Sequence, residues 1–178
     1  FTPASGVATR MFKGLFEYLS AVNRYEGKQN EMSPLTDQVA HFLNHLSEFP
    51  FYETLKAGLL EKGIFEEAPV EVIKELLQGK GLNYGQLPKG LIKFHAYPEG
   101  ARTPVEEHLV EGCLYAADDQ GRVHIHFTIS AHHHASFDRH LKEVRKGYEE
   151  AYGKIIEITL SEQKTATDII AVDLKNDP

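Results

Sequence analysis

Phe1-Thr2-Pro3-Ala4-Ser5-Gly6-Val7-Ala8-Thr9-Arg10-Met11-Phe12-Lys13 opens the chain. A short run of apolar and small residues leads into a turn at Ser5 and Gly6. Ala8, Thr9 and the cation Arg10 follow, and a helical apolar pattern begins after them. That order reads as a strand, a tight loop and a helix N-terminus. Small side chains let a backbone come close to a ligand, and the unpaired amides of a first helical turn favour an anion. Arg10 adds a planar fork of donors that matches phosphate oxygens. Junctions of this kind also occur as plain structure, so the rest of the chain has to decide.

Beyond the loop, Met11, Leu15, Phe16, Leu19 and Val22 recur at helical spacing. Ser33-Pro34 suits the start of a second helix, because serine can cap and proline fits the first turn; its apolar face is Val39, Phe42, Leu43 and Leu46. Tyr52, Leu55, Leu59 and Leu60 mark a third helix, and Val70, Ile73, Leu76 and Leu77 a fourth, ended by Gly79 and Gly81. The aromatic run Phe49, Phe51 and Tyr52 reads as core rather than as a ligand box. Strands then enter the pattern. Residues 91–95 read as a short strand. Thr103-Pro104-Val105-Glu106 has the capping-box arrangement, leading a helix that turns Val105, Leu109, Cys113 and Ala117 inward. Residues 123–130 alternate and then become apolar, as in a largely buried strand. Residues 136–152 form an amphipathic helix with Phe137, Leu141, Val144 and Tyr148 inward, and 154–160 read as another strand. Strands alternating with helices imply a parallel, doubly wound sheet whose ligand crevice lies at the strands' carboxyl ends. The opening loop, Ser130 and residues 161–164 fall at those ends.

Two further stretches, Leu87-Pro88-Lys89-Gly90-Leu91-Ile92 and Glu99-Gly100-Ala101-Arg102-Thr103-Pro104-Val105-Glu106-Glu107-His108-Leu109, complete a signature. With the opening motif, it resembles that of the nucleotidyltransferases that join a nucleoside triphosphate to a sugar phosphate. Their mark is an apolar strand, a glycine loop ending in Thr-Arg-Met or Thr-Arg-Leu, and a later Pro-Lys dipeptide. The Pro-Lys-Gly form looks most like the UDP-sugar pyrophosphorylase branch, and Phe127-Thr128-Ile129-Ser130 looks like that branch's strand ending in Met-Thr-Ser. The whole chain is similar to a bacterial domain-of-unknown-function family that shares the signature. The resemblance covers Phe1 to Met11 and Leu87 to about Asp173. It departs at Ala8, where the loop usually has a second glycine, and in the long stretch from Gly14 to Leu87.

The resemblance implies an α/β fold, doubly wound, with a mostly parallel Rossmann-like sheet of the nucleotide-diphospho-sugar transferase type. Residues 1–178 would be one partial domain, with an all-helical insertion over 14–87 after the first βα loop. Both ends read as cuts: Phe1 falls where the first strand is already under way, and 168–174 reads as a strand that stops before its return connection. The expected activity is transfer of a nucleotidyl group, from UTP by preference, to a sugar 1-phosphate with release of pyrophosphate. Ser5, Gly6, Val7, Ala8 and Thr9 would hold the triphosphate through backbone amides. Arg10 would clamp the distal phosphates, and Lys89 would stabilise the α-phosphate in the transition state. Lys13 either assists or is simply solvated. Ser130 lies at the crevice, and Gln163 resembles a position near the base. The implied cofactor is Mg²⁺, with its carboxylate ligand outside this chain, since Asp168 and Asp173 do not fit the family's metal motif.

Composition narrows the partners. The formal charge is −7 with no dense basic block, which argues against a nucleic-acid surface. No apolar run approaches a membrane span and no signal-peptide pattern is present, so a cytoplasmic protein without a membrane partner is expected. The single Cys113 excludes an internal disulfide and reads as a buried, inert thiol. The histidines are the main rival. His124 and His126 share a strand face, His132, His133 and His134 are consecutive, and His140 is nearby. Zinc needs convergent ligands, and consecutive histidines point apart, so a solvated turn is the favoured account. Glu106 and Glu107 read as helix-start residues facing the dipole rather than a catalytic dyad. A non-catalytic nucleotide- or protein-binding module that keeps the phosphate loop stays open as the alternative to an enzyme. The base, the sugar and the oligomeric state are not legible.

Overall fold

The computed structural model describes residues 2–3, 6–25, 36–64 and 68–164. Ser5, the helix start at Ser33-Pro34 and the strand at 168–174 lie outside the described residues. In chain order the elements are β1 (Thr2–Pro3), α1 (Lys13–Tyr25), α2 (Asp37–Asn44), α3 (Tyr52–Glu61), α4 (Pro69–Leu77), β2 (His95–Tyr97), β3 (Gly100–Arg102), α5 (Pro104–Tyr115), β4 (Arg122–Ile129), α6 (His134–Tyr152) and β5 (Ile155–Glu162). The fold is mixed α/β and divides into two compact units. One is Gly6–Val110; the other joins Phe1–Ser5 to Glu111–Pro178.

The Gly6–Val110 unit is built on helical periodicity. Leu15 and Leu19 of α1, Val39 of α2, Leu55 and Leu59 of α3, and Val72, Ile73 and Leu76 of α4 are buried in one cluster. Burying each such side chain contributes about 1.5–3 kcal/mol, which these short helices need because none would persist alone. The spacing expected for α1 holds at Leu15, Phe16, Leu19 and Val22, which are buried in the cluster or packed against it, whereas Met11, ahead of the helix start at Lys13, is exposed and Phe12 is buried. The α2 cap is Thr36, whose hydroxyl accepts from the Val39 amide at 3.3 Å. The aromatic run is split, with Phe51 in the core and Phe49 at the surface. Leu60 is likewise exposed. Among the described residues of 14–87 there are helices and no strand. Glu75 is buried within α4, where its carboxylate pairs with Lys62, whose ammonium also donates to the Lys80 carbonyl. Unpaired, that buried charge would be strongly destabilising.

The strand expected at 91–95 is not there. Lys89–Leu91 is a short 3₁₀ turn, and β2 starts at His95 and pairs antiparallel with β3, His95 opposite Arg102 and Tyr97 opposite Gly100. Ile92 is buried in the helical cluster with Phe94 packed against it, so the apolar side chains of 91–95 go to that core, and β2 is left with exposed residues only. Gly100, at φ 136°, closes the turn instead. Next comes the capping box, formed as read. The Glu106 carboxylate accepts from the Thr103 amide at 2.8 Å, and Thr103 Oγ1 accepts from the Glu106 amide at 3.3 Å.

The second unit carries a three-stranded sheet in the order β1-β4-β5 with both pairings parallel. Thr2 lies opposite Phe127, and β4 runs beside β5 from Arg122–Ile155 to Ile129–Glu162. Val123, Ile125, Phe127 and Ile129 are buried on one face, which α5 approaches so closely that a Cβ at Gly112 would sit 2.7 Å from Val123 Cγ1. Helix α6 joins β4 to β5 and buries Phe137 and Leu141. Cys113 is buried, and loss of hydration pushes its thiol pKa up, as for an inert thiol. Ala117 falls beyond the end of α5. Strand β4 does not turn apolar at its end: burial alternates throughout, leaving His124, His126 and Thr128 on the opposite, polar face. The sheet is therefore one-sided among the described residues.

Thr103→Ala removes half of the capping box and should cost about 1 kcal/mol. A lower urea midpoint with unchanged slope is the expected result; an unshifted midpoint would mean that Glu106 alone holds the helix start.

Candidate functional site

Two groups of residues singled out in the sequence come together, one in each unit. In the Gly6–Val110 unit the opening loop pairs with the Pro-Lys-Gly segment. Val7 and Pro88 form an antiparallel bridge; the Lys89 amide donates to the Gly6 carbonyl at 2.8 Å and the Ala8 amide to the Leu87 carbonyl at 3.3 Å. Thr9 Oγ1 donates to the Gly85 carbonyl at 3.4 Å. Motifs about eighty positions apart in sequence are thus adjoining strands of backbone.

The pairing assigns different work to neighbouring residues. Ala8 is fully buried, its methyl in the hydrophobic cluster and its amide already bonded. The expectation that it binds phosphate through that amide is corrected: the amide is engaged and the residue anchors the loop. Its φ is not positive, so alanine fits without strain. The Met11 amide is likewise taken, by the Ala8 carbonyl at 2.9 Å. Gly6, Val7, Thr9 and Arg10 are exposed, as is Lys89. Neither Arg10 nor Lys89 has an acidic partner among the described residues, whereas Lys13 lies 3.7 Å from Glu17 with both side chains well exposed. A cation so solvated contributes little to stability.

In the other unit, Ser130 and Gln163 meet at the carboxyl ends of β4 and β5. The Gln163 amide donates to the Ile129 carbonyl at 2.8 Å, next to Ser130, and Ser130 opens the turn Ala131–His133. Strand β1 also ends on this side, with Pro3 opposite Thr128.

The histidines take up positions that periodicity foreshadows only in part. His124 lies 3.1 Å from Glu157, and the His126 ring sits between Thr159 Oγ1 at 2.7 Å and Ser161 Oγ at 2.8 Å. Thr128 Oγ1 is 3.3 Å from the same Ser161 oxygen. This is a cross-strand polar ladder on the open face of the sheet. Among the described residues no group of three or more His, Cys, Asp or Glu could hold a metal ion.

A cluster that the sequence reading missed surrounds Glu107. His95 Nδ1 lies 3.1 Å from its Oε1, Arg102 Nη1 lies 3.7 Å from its Oε2, and the Tyr97 hydroxyl donates to it, raising the tyrosine pKa. The Arg102 guanidinium also stacks 4.1 Å over the Tyr97 ring and pairs with Glu99 at 2.7 Å. Glu107 is therefore more than a dipole-facing residue: it fastens the β2–β3 hairpin to α5. Alternate positions 95 and 97 share a strand face, which is the one sequence signal for their convergence.

The chain belongs to the family described as "Domain of unknown function (DUF4301)". The match runs over residues 1–178. Comparison with the curated proteins and with the solved structures gives no match. No helix among the described residues is long and apolar enough to cross a membrane.

His133 supplies a pH test of the turn after Ser130. Burial, and then the charge of neighbouring His132, hold its pKa below the ordinary histidine value. The unfolded chain therefore takes up a proton as pH falls through about 6.5 while the folded state resists, and stability is lost on that acid side. His133→Gln should flatten the decline in denaturation midpoint between about pH 7.5 and pH 5. An unchanged profile would place the acid sensitivity elsewhere.

Proposed function

We propose that this chain is the nucleotide-handling part of a nucleotidyltransferase that joins a nucleoside triphosphate, UTP by preference, to a sugar 1-phosphate. The observation that carries the reading is the pairing of Gly6–Thr9 with Gly85–Lys89, which brings onto adjoining segments two exposed cations that have no acidic partner among the described residues. An anion bound there meets Arg10 as a planar fork and Lys89 as a point charge. A Cβ built at Gly6 meets nothing within 4 Å, so the protein's own packing does not demand glycine, while close approach of a phosphate does.

In this reading the sugar-phosphate oxygen attacks the α-phosphorus in line and pyrophosphate leaves. The chain's part is positional and electrostatic: Arg10 holds the distal phosphates, the exposed amides of the loop meet the others, and Lys89 neutralises charge developing at the α-phosphate. Within the other unit, Ser130 and Gln163 lie together at the strand ends, and a role for them as contacts to a nucleoside is a separate part of the proposal. Mg²⁺ enters only as the companion of the triphosphate, because no described cluster fits it. The finer architecture is part of the inference too. Parallel pairing and the β4–α6–β5 unit support a Rossmann-like sheet of the doubly wound type, which requires a covering layer on the His124–Thr128 face. The family's cellular place is read as cytoplasmic.

A second reading has its own support. Ala8 spends its amide and its methyl on the fold, so part of the loop is structural, as it would be in a non-catalytic nucleotide- or protein-binding module.

Arg10→Ala and Lys89→Ala should each lower the rate of pyrophosphate release by about 10²–10³ without loss of fold. Wild-type turnover in either variant removes its assigned role. Thermal unfolding against a panel of nucleoside triphosphates with Mg²⁺ separates the two readings. A compound at about a hundred times its dissociation constant adds about 2.7 kcal/mol. Stabilisation with pyrophosphate release supports the enzyme, stabilisation without it supports the module, and no response to any nucleotide sinks both nucleotide readings.

A further inference from the structure

The Gly6–Val110 unit contains a cavity of about 410 Å³ that the nucleotide reading does not use. Its wall is formed by Met11, Leu15, Phe42, Phe49, Phe51 and Phe94, with Gln38 and Lys93 as polar members. The volume falls in the range of small-molecule sites, and the composition, aromatic and apolar with a few polar groups, is that of such sites. Leu15 and Phe51 are buried, whereas Met11 and Phe49 are exposed at 47% and 36%. The Phe49 ring stacks on Phe51 at 5.1 Å and lies 5.2 Å from Phe42, so the exposed part of the wall is held in place by its own ring contacts. Apolar surface left in water is unfavourable, and an apolar ligand that covers it recovers that free energy.

The polar members decide what kind of ligand. Lys93 is the one ionic side chain among the described residues of the wall, in a chain with 26 acidic and 19 basic residues. Its ammonium donates to Thr54 Oγ1 at 3.2 Å and meets no carboxylate among the described residues. Gln38 reaches the wall because position 14 is glycine: a Cβ there would lie 2.6 Å from Gln38 Oε1. Glycine weakens a helix relative to alanine, and here it admits a hydrogen-bonding amide beside the rings. A greasy chamber with one unneutralised cation and one amide fits a molecule with a hydrocarbon body and a single anionic head.

We propose that this cavity binds an apolar carboxylate, its hydrocarbon part among Phe42, Phe49 and Phe94 and its head at Lys93. The occupant is a small acid rather than a protein segment, because the site is a chamber with one cation rather than an extended groove with spaced anchors.

The test is isothermal titration of the full chain with decanoate and, in parallel, with decanol. Wild type should bind decanoate saturably and decanol more weakly. Lys93→Gln, at a side chain outside the core, should weaken decanoate on the order of tenfold and leave decanol unchanged. Phe49→Ala should weaken both ligands, with circular dichroism confirming the fold; if that variant unfolds, Lys93→Gln decides alone. No saturable decanoate binding, equal decanoate affinity in wild type and Lys93→Gln, or ligand-independent dimerisation abolished by Phe49→Ala would each overturn the proposal, the last by making the chamber a self-association surface.

Discussion

The Gly6–Val110 unit depends on holding one short backbone pair together. Gly6–Ala8 and Leu87–Lys89 share two hydrogen bonds, at 2.8 and 3.3 Å. Each is worth about 1 kcal/mol net, less than the entropy of ordering the residues that make them. Closing a long loop adds further cost, though it rises slowly with length. The deficit is met by burial. Ala8 and Phe12 enter the same cluster as α1 and α4, so the loop takes its shape from the core rather than from a ligand. Whatever anion chemistry the loop performs is a property of residues the core leaves outside: Gly6, Thr9, Arg10 and Lys89.

The parts of this arrangement that were legible from sequence were the local ones. The capping box at Thr103 and Glu106 needs only its own turn, and the helices need only their apolar spacing. The opening and Pro-Lys-Gly motifs stand out in the sequence, but the hydrogen bonds that join them link positions too far apart for any pattern to reveal. Reading failed where a partner lay elsewhere in the chain. Residues 91–95 have enough apolar character to suggest a strand, yet the pairing edge they lack decides the matter in favour of the hairpin at His95. Glu107 looked like a helix-start carboxylate until His95, Tyr97 and Arg102 were seen around it. Met11 is exposed because residues 11 and 12 still form a turn and α1 starts only at Lys13, so the helical spacing read from Met11 begins too early.

Two carboxylates in one unit illustrate different solutions to the same electrostatic problem. Glu75 is buried and answered by a single ammonium from Lys62. Glu107 is partly buried and shared among an imidazole, a guanidinium and a phenol. The first arrangement collapses if one partner is lost, since an isolated buried charge is costly. The second distributes the load, and it ties a solvent-facing hairpin to a helix that carries the boundary between the two units.

The interrupted course of the sheet unit bears on how a ribosome delivers it. Its first strand, Thr2–Pro3, emerges more than a hundred residues ahead of Phe127 and Thr128, the positions it pairs with. Until β4 has been synthesised, β1 cannot make its pairing with Phe127 and Thr128, while the continuous Gly6–Val110 segment already holds its own helices and core. Vectorial synthesis therefore favours a nested order in which the inner segment condenses first and the outer strands pair last. Long-range parallel pairing is slow for entropic reasons, and a waiting strand edge invites the wrong neighbour.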